Sequence, residues 1–378
     1  MKEQIFKLEP GSLYYKPDWQ RAKRRWVAFW DCQNTDRPLI DVTAPRIGPS
    51  SVPEMPRPEN LESIYFDPGY ILQFWLRVFE SVYFGGEGFP AVGYLMGGYA
   101  LGCGCAVHFA PETVWHLKTM GSIYEPLGWH PGQDDLWRQK LDRVVSRLLD
   151  AAPGKFLVGY VCQTMVNDLL ALIRGVDDFM VDLALDMNQC VRQLEKMFDL
   201  WADTFEHYRN MIDERQKAWH DGCAWTTARL WHPEFFMISQ SDISCMISEE
   251  MFERYVVREL ECVADRYTDC IWYHLDGPGA IKHLPRLLSK PYIRAVQWVP
   301  GAGQLENGPA WMDLYREVQR ANKCLDLSVQ SQDNVEYLIR HLRPEGLIIR
   351  TDAASQQQAD ELIQNAIKWC GSHLHSNL

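Results

Sequence analysis

The chain reads as an α/β protein built as a closed (β/α)8 barrel of the TIM type, with extra helices at its N-terminus and mid-chain. Three observations predict this. From residue 270 onward the sequence settles into four strand–helix units with short links: strands at 270–276, 292–299, 324–330 and 346–352, each followed by a helical pattern, near 279–288, 309–321, 332–342 and 355–369. Strands joined through helices must run parallel, because a parallel neighbour needs a crossover. Four more candidate strands lie upstream, at 38–43, 91–96, 155–161 and 225–231, bringing the count to eight. Neither a glycine-rich dinucleotide fingerprint nor a Walker A sequence is present, which removes the common open-sheet alternatives and any nucleotide cofactor. The run Gly301-Ala302-Gly303 lacks a third glycine and an acidic follow-up, so it is a weak phosphate signal.

The elements follow in order. Residues 1–16 carry no period and contain Pro10-Gly11, which reads as an irregular arm. From Asp18, a candidate N-cap, Trp19, Ala22, Trp26, Phe29 and Trp30 recur at helical spacing, with Arg21, Lys23, Arg24 and Arg25 as a solvated face. Residues 47–68 are rich in Pro, Ser and Glu and read as a surface loop, followed by a helix over 71–84. Asp134–Ala151 is amphipathic and ends at Pro153-Gly154. A long helical region runs from about Thr164 to Lys217 with a break near Gly175; it covers the core or packs against a second copy in a homodimer. Residues 238–243 read as a short extension or hairpin, and Ser248 caps a helix to about Tyr267. The whole of 1–378 is taken as one barrel domain with an N-terminal helical arm over about 1–36.

Composition narrows the partners. A net charge of −12 argues against a nucleic-acid surface, which needs clustered Lys and Arg. No apolar run approaches the roughly 20 residues of a membrane span, and no apolar segment follows Met1-Lys2-Glu3-Gln4. Eleven scattered cysteines read as thiols of a reducing cytoplasm rather than a disulfide framework. Cys103 and Cys105 form a Cys-x-Cys pair with no further ligands at a familiar metal spacing, and are taken as inert. Fifteen Trp and sixteen Tyr fit either a large aromatic core or an aromatic-lined pocket.

A barrel of this kind carries its reactive groups at the C-terminal ends of its strands. The run Cys270–Gly277 is the centre of interest. On a strand, Trp272, His274 and Asp276 share one face, and Gly277-Pro278-Gly279 ends the strand just beyond them. His274, Asp276 and Asp242 are the candidate catalytic group. His274 and Asp276 are also candidate ligands for zinc or another divalent ion, since imidazole and carboxylate bind such metals. The same groups act as acid and base without metal, and a structural His–Asp contact ordering the turn is the alternative. Arg46, Tyr160, Gln163, Gln240, Gln297, Trp298 and Arg350, at or near other strand ends, are candidate contacts for a small-molecule substrate. Arg46 or Arg350 would suit a carboxylate.

These residues carry a resemblance. The His274-Leu275-Asp276-Gly277-Pro278-Gly279 run, the Gln297–Gly303 run, Thr351 before the last helix, and the opening Phe29-Trp30 with Asp36-Arg37-Pro38-Leu39-Ile40 resemble the uroporphyrinogen decarboxylase superfamily. The likeness spans roughly 20–370 and leans to the branch beside corrinoid- and folate-linked methyltransferases. It implies a barrel with its pocket at the C-terminal mouth, and a corrinoid protein or a folate as methyl partner. Two departures stand out. The family's arginine-rich motif near the first strand, Met-Arg-Gln-Ala-Gly-Arg, is replaced by Asp41–Arg46 with one arginine, which argues against uroporphyrinogen as substrate. The zinc methyltransferases carry His-x-Cys where this chain has His274-Leu275-Asp276, and a second Cys where it has Thr351–Ala354, so the thiolate ligands are missing.

Three functions are in play. The first is a methyltransferase acting between a small substrate and a corrinoid protein or folate. The second is a decarboxylase or related lyase of a small carboxylate. The third is a non-catalytic small-molecule-binding paralogue, since fold does not fix function.

Overall fold

The computed structural model describes residues 11–48, 50–92, 95, 106–128, 135–161, 165–225 and 228–371. The arm helix α1, Trp19–Trp30, buries Trp19, Ala22, Trp26, Phe29 and Trp30. It ends in a Schellman motif: Gln33 N–H donates to the Ala28 carbonyl at 2.7 Å and Cys32 N–H to that of Phe29 at 3.0 Å. Asp18 holds the N-cap position as expected, but its side chain makes no cap bond and pairs instead with Lys16 at 3.0 Å. The basic face is partly engaged, Lys23 with Asp221 and Arg25 with Asp36 and Glu87. The arm is fastened to the body by Trp26 Nε1 on the Glu87 carbonyl (3.0 Å), Trp30 Nε1 on the Trp231 carbonyl (2.8 Å) and the buried Arg37–Glu87 pair.

Then come β1 (Leu39–Pro45), α2 (Leu61–Phe66), α3 (Pro68–Ser81), β2 (Val82–Gly86), β3 (Ala91–Val92), the hairpin β4 (Val107–Phe109) and β5 (Val114–His116), α4 (Leu136–Ala151) and β6 (Leu157–Val158). The stretch expected to be one helix over 71–84 is α3 followed by β2, antiparallel to β1. Val82-Tyr83-Phe84 fits a strand as well as a helix. Gly86 decides: its φ is +58°, and a Cβ there would lie 2.1 Å from the Ile40 carbonyl oxygen. The expected loop at 47–68 contains α2, whose N-cap Asn60 accepts from Glu62 N–H.

The long helical region resolves into α5 (Val166–Arg174), α6 (Val176–Leu185) and α7 (Met187–Gln216), with the first break at Gly175, φ +84°. Beyond it lie β7 (Cys223–Trp225), β8 (Leu230–His232) and β9 (Met237–Gln240), then α8 (Glu249–Met251), a π-turn at Phe252–Val256 and α9 (Val257–Arg266). The strand expected at 225–231 is instead the antiparallel β7–β8 hairpin, turned at Arg229 with φ +47°. The stretch at 238–243 supplies the strand that pairs in parallel with residues 271–274.

The C-terminal units follow the expected rhythm: β10 (Ile271–Asp276), α10 (Leu284–Ser289), β11 (Ile293–Val299), α11 (Met312–Arg320), β12 (Cys324–Ser328), α12 (Gln332–His341), β13 (Leu347–Asp352) and α13 (Gln356–Gly371). One seven-stranded sheet runs β2-β1-β13-β12-β11-β10-β9, parallel except for β2. Among the described residues its ladder does not close into a ring. The parallel pair β3–β6 stands apart, tied in by single bonds such as Glu87 N–H to the Ile40 carbonyl (2.8 Å) and Tyr160 N–H to the Ala224 carbonyl (3.1 Å). The fold is thus an α/β architecture with a mostly parallel central sheet wrapped by helices.

Candidate functional site

The site grows from the period of β10. Tyr273 and Leu275 are fully buried on the outer, helix-facing side, which turns Trp272, His274 and Asp276 the other way. Parallel register sets Gln240 of β9 and Gln297 of β11 on either side of His274. The Gln297 Oε1 lies 2.5 Å from His274 Nδ1. An amide oxygen only accepts, so Nδ1 is the donor of this pair, and in the neutral ring Nε2 then carries the lone pair. Trp272 lies behind the imidazole, its ring tilted 28° at 6.2 Å, with its Nε1 donating to Asp326 Oδ2 at 3.1 Å.

Asp242 opens the turn after β9. Gln240 Nε2 donates to Asp242 Oδ1 at 3.1 Å and to Asp168 Oδ2 at 3.2 Å, while Asp242 N–H donates to Asp168 Oδ1 at 2.8 Å. Asp168 sits in the first turn of α5 and is buried. Burial first, then the charge of Asp242, pushes its pKa well above the ordinary carboxylate value. Asp242 is raised too, by desolvation, with His274 opposing and Asp276 reinforcing the shift. Behind them Glu259 of α9 accepts from the backbone N–H groups of Val166 and Asn167 and from Asn167 Nδ2, and burial lifts it to about 7. Asn167 Nδ2 also donates to the Gln240 carbonyl at 3.0 Å, joining this acid to the site.

Beneath the mouth lies a charged floor. Arg350 reaches Asp326 through Nε (2.8 Å) and Nη2 (2.9 Å), Asp41 through Nη1 (2.7 Å), and the Arg229 carbonyl (3.3 Å). Arg229, at the hairpin turn, places its own Nε 3.2 Å from Asp41 Oδ2, with its side chain 34% exposed. Its two Nη groups have no partner among the described residues. A non-glycine residue in the left-handed region is strained, which marks the turn as a position held by its surroundings. At the rim Thr43 Oγ1 donates to Asp352 Oδ1.

His274, Asp276, Asp242, Gln240 and Gln297 are therefore brought together. Arg350 is locked one layer below, with four of its N–H bonds engaged. Arg46 follows Pro45 on the outer side, where Nη2 donates to the Tyr15 carbonyl at 3.1 Å. Tyr160 is buried against Phe205, Trp225 and Phe235, and its hydroxyl donates to Asp213 of α7 at 2.6 Å. Trp298 faces away from Gln297, fully buried against Trp311. Gln163, Cys103 and Cys105 lie outside the described residues. Sequence reasoning missed Asp168 as a site residue; its signal was an acid in the first turn of the helix that follows a strand end.

The donor set does not match a thiolate zinc site. Among the described residues no three His, Cys, Asp or Glu side chains gather as a metal cage, and the one exposed thiol there, Cys245, turns toward the Asp242 carbonyl. What the residues present bring together is an imidazole beside carboxylates.

The fold has a known counterpart. The chain is similar in structure to a methyltransferase from Methanosarcina mazei, with a TM-score of 0.57 at 13% identity, over 92% of this chain and 98% of that one. No family model matches the sequence, and no curated protein matches it. Among the described residues no helix is long and apolar enough to cross a membrane.

Proposed function

We propose that the chain is a methyltransferase that moves a methyl group between a small substrate and a corrinoid protein or folate, at the mouth formed by the C-terminal ends of β9, β10 and β11. The observation that carries this reading is the contact of His274 Nδ1 with Gln297 Oε1, which in the neutral ring turns the lone pair to Nε2, together with Asp242, whose pKa is raised by burial. In the demethylating direction Asp242 gives its proton to the substrate heteroatom as the methyl leaves, and His274 Nε2 accepts a hydrogen bond that orients the substrate. Asp168 and Gln240 hold Asp242 in place. The corrinoid or folate accepts or supplies the methyl group. No step is assigned to a metal.

The experiment is methyl transfer from methylcob(III)alamin or methyltetrahydrofolate to a panel of small thiols, amines and phenols, with the reverse direction run in parallel. Turnover that falls at least tenfold in His274→Ala and Asp242→Asn supports the reading. Absence of turnover with every acceptor and donor counts against it.

A second reading, a lyase of a small carboxylate, rests on Arg229, whose Nη groups make no hydrogen bond among the described residues and would suit a carboxylate. Arg350 and Arg46 are already engaged. Release of carbon dioxide from a carboxylate panel, abolished in Arg229→Met, would favour this reading over the first.

A further inference from the structure

At the opposite end of the sheet from the mouth, two cysteines meet. Cys324 opens β12 and is buried; Cys32 follows α1 and is half-buried; their sulfurs are 3.9 Å apart across 292 positions of sequence. Three features bring them there. Cys32 occupies the C′ position of the Schellman motif with φ +53°, a position that glycine fills at lower cost. Gly346 leaves a notch beside the pair: a Cβ on it would lie 2.8 Å from Cys32 Sγ and 3.4 Å from Cys324 Sγ. Arg294 donates to the Trp30 carbonyl at 3.4 Å next to the pair, adding positive charge.

We propose that Cys32 and Cys324 are a thiol pair oxidised by hydroperoxides to an intramolecular disulfide that staples the arm helix to the sheet. The Cys32 thiolate attacks the O–O bond of the peroxide, so that an S–O bond forms, the O–O bond breaks, and an alcohol or water leaves with the proton. The Cys324 sulfur then attacks the Cys32 sulfenic acid; the S–S bond forms, the S–O bond breaks and water leaves. Two thiols are oxidised and one peroxide is reduced. Cys32 is suited to the first step. The contact with Cys324, helped by Arg294 and Arg343 and opposed by burial, brings it down to about 7, which favours its thiolate form. Cys324 is pushed well up, chiefly by that same contact and by burial, which marks it as the resolving partner. The sulfurs must close to about 2.05 Å, a movement that falls on the half-buried Cys32 at the end of its helix.

The test treats the purified, reduced full chain with hydrogen peroxide and maps disulfides by non-reducing peptide mass spectrometry. The expected result is a Cys32–Cys324 linked peptide with loss of two hydrogens, reversal by dithiothreitol, a melting temperature several degrees higher in the oxidised form, and loss of all three changes in Cys32→Ser. Cys324→Ser should stop at the Cys32 sulfenic acid, trapped by dimedone, which keeps the test decisive if one variant folds poorly. Oxidation that maps first to the exposed Cys245, or a chain that keeps both thiols after peroxide has oxidised a control dithiol, overturns the proposal.

Discussion

Replacing Arg350 with methionine should be among the most damaging single changes in the chain, and the order of its rescues follows from the contacts. Asp41 and Asp326 are both fully buried, and Arg350 is the cation they share. Removing one member of a buried ion pair typically costs about 3–5 kcal/mol, because a charge is left without compensation. The two carboxylates are not equally stranded. Asp41 keeps Arg229 at 3.2 Å, whereas among the described residues Asp326 keeps the Trp272 indole N–H alone. Arg350→Met should therefore lose about 4 kcal/mol, a large part of the roughly 5–15 kcal/mol that holds a folded protein together. Adding Asp326→Asn should recover about half of that loss. Adding Asp41→Asn should recover little, since it leaves Asp326 charged and deprives Arg229 of its partner. Urea unfolding followed by tryptophan fluorescence measures all four proteins, with constant slopes required before midpoints are compared. The reasoning fails if Arg350→Met lies within about 1 kcal/mol of wild type, well below the cost of an uncompensated buried charge, or if the two rescues are equal.

Three further outcomes are expected. Glu259 is raised from 4.5 to about 7, so the folded state holds its proton more tightly than the unfolded chain does; its stabilising contribution is present below pH 4.5 and is lost as pH rises to about 7, in all about 3 kcal/mol at 1.36 kcal/mol per pH unit. Denaturation of Glu259→Gln across pH 4.5–7.5 should lack that slope, and an unchanged difference from wild type across the window would contradict it. In reduced protein Cys32→Gly should melt slightly higher, by about 0.5–1 kcal/mol of stability, because glycine takes the left-handed C′ position without steric cost; a lower melting point would mean that the thiol contact outweighs the strain. In Gln297→Leu the proton on His274 Nδ1 loses its acceptor, so nitrogen-15 shifts should move from one pure tautomer to a mixture, and a spectrum like wild type would show that another group sets the tautomer.

The C-terminal half was legible in sequence because each strand there is an apolar run closed by a turn and followed at once by a helix. Strands expected at 270–276, 292–299, 324–330 and 346–352 fall within two residues of those observed. The N-terminal half was harder for a physical reason. Val82-Tyr83-Phe84 fits either period, and only the close approach of Gly86 to the Ile40 carbonyl selects the strand. The β7–β8 turn carries no turn-favouring signal, because Arg229 is held left-handed by the Asp41 and Arg350 contacts rather than by its own preference. In the site, His274 and Asp276 could be read from alternation alone. The same rule excludes Gln297 and Trp298 from sharing one face, and the structure divides them. Asp168 looked like any acid near a helix start; its importance comes from burial against Asp242, which depends on a partner 74 positions away.

The charge arrangement of the site bears on which substrates it suits. The floor is balanced, two carboxylates against two guanidiniums, so it adds structure without a strong net field. Burial pushes the pKa of Asp168 upward. The rim carries more acid than base: Asp276 ends β10 and Asp352 ends β13, and among the described residues neither forms an ion pair with a Lys or Arg. A carboxylate entering here meets like charges in a partly desolvated space, where repulsion is less screened than in water. A methyl group on a neutral or cationic heteroatom meets no such barrier, and an acid already inclined to hold its proton is then placed to cap the heteroatom the methyl leaves. The acidic rim thus suits a neutral or cationic substrate, as the proposed methyl transfer requires, and among the described residues the lyase reading rests on Arg229 to offset it.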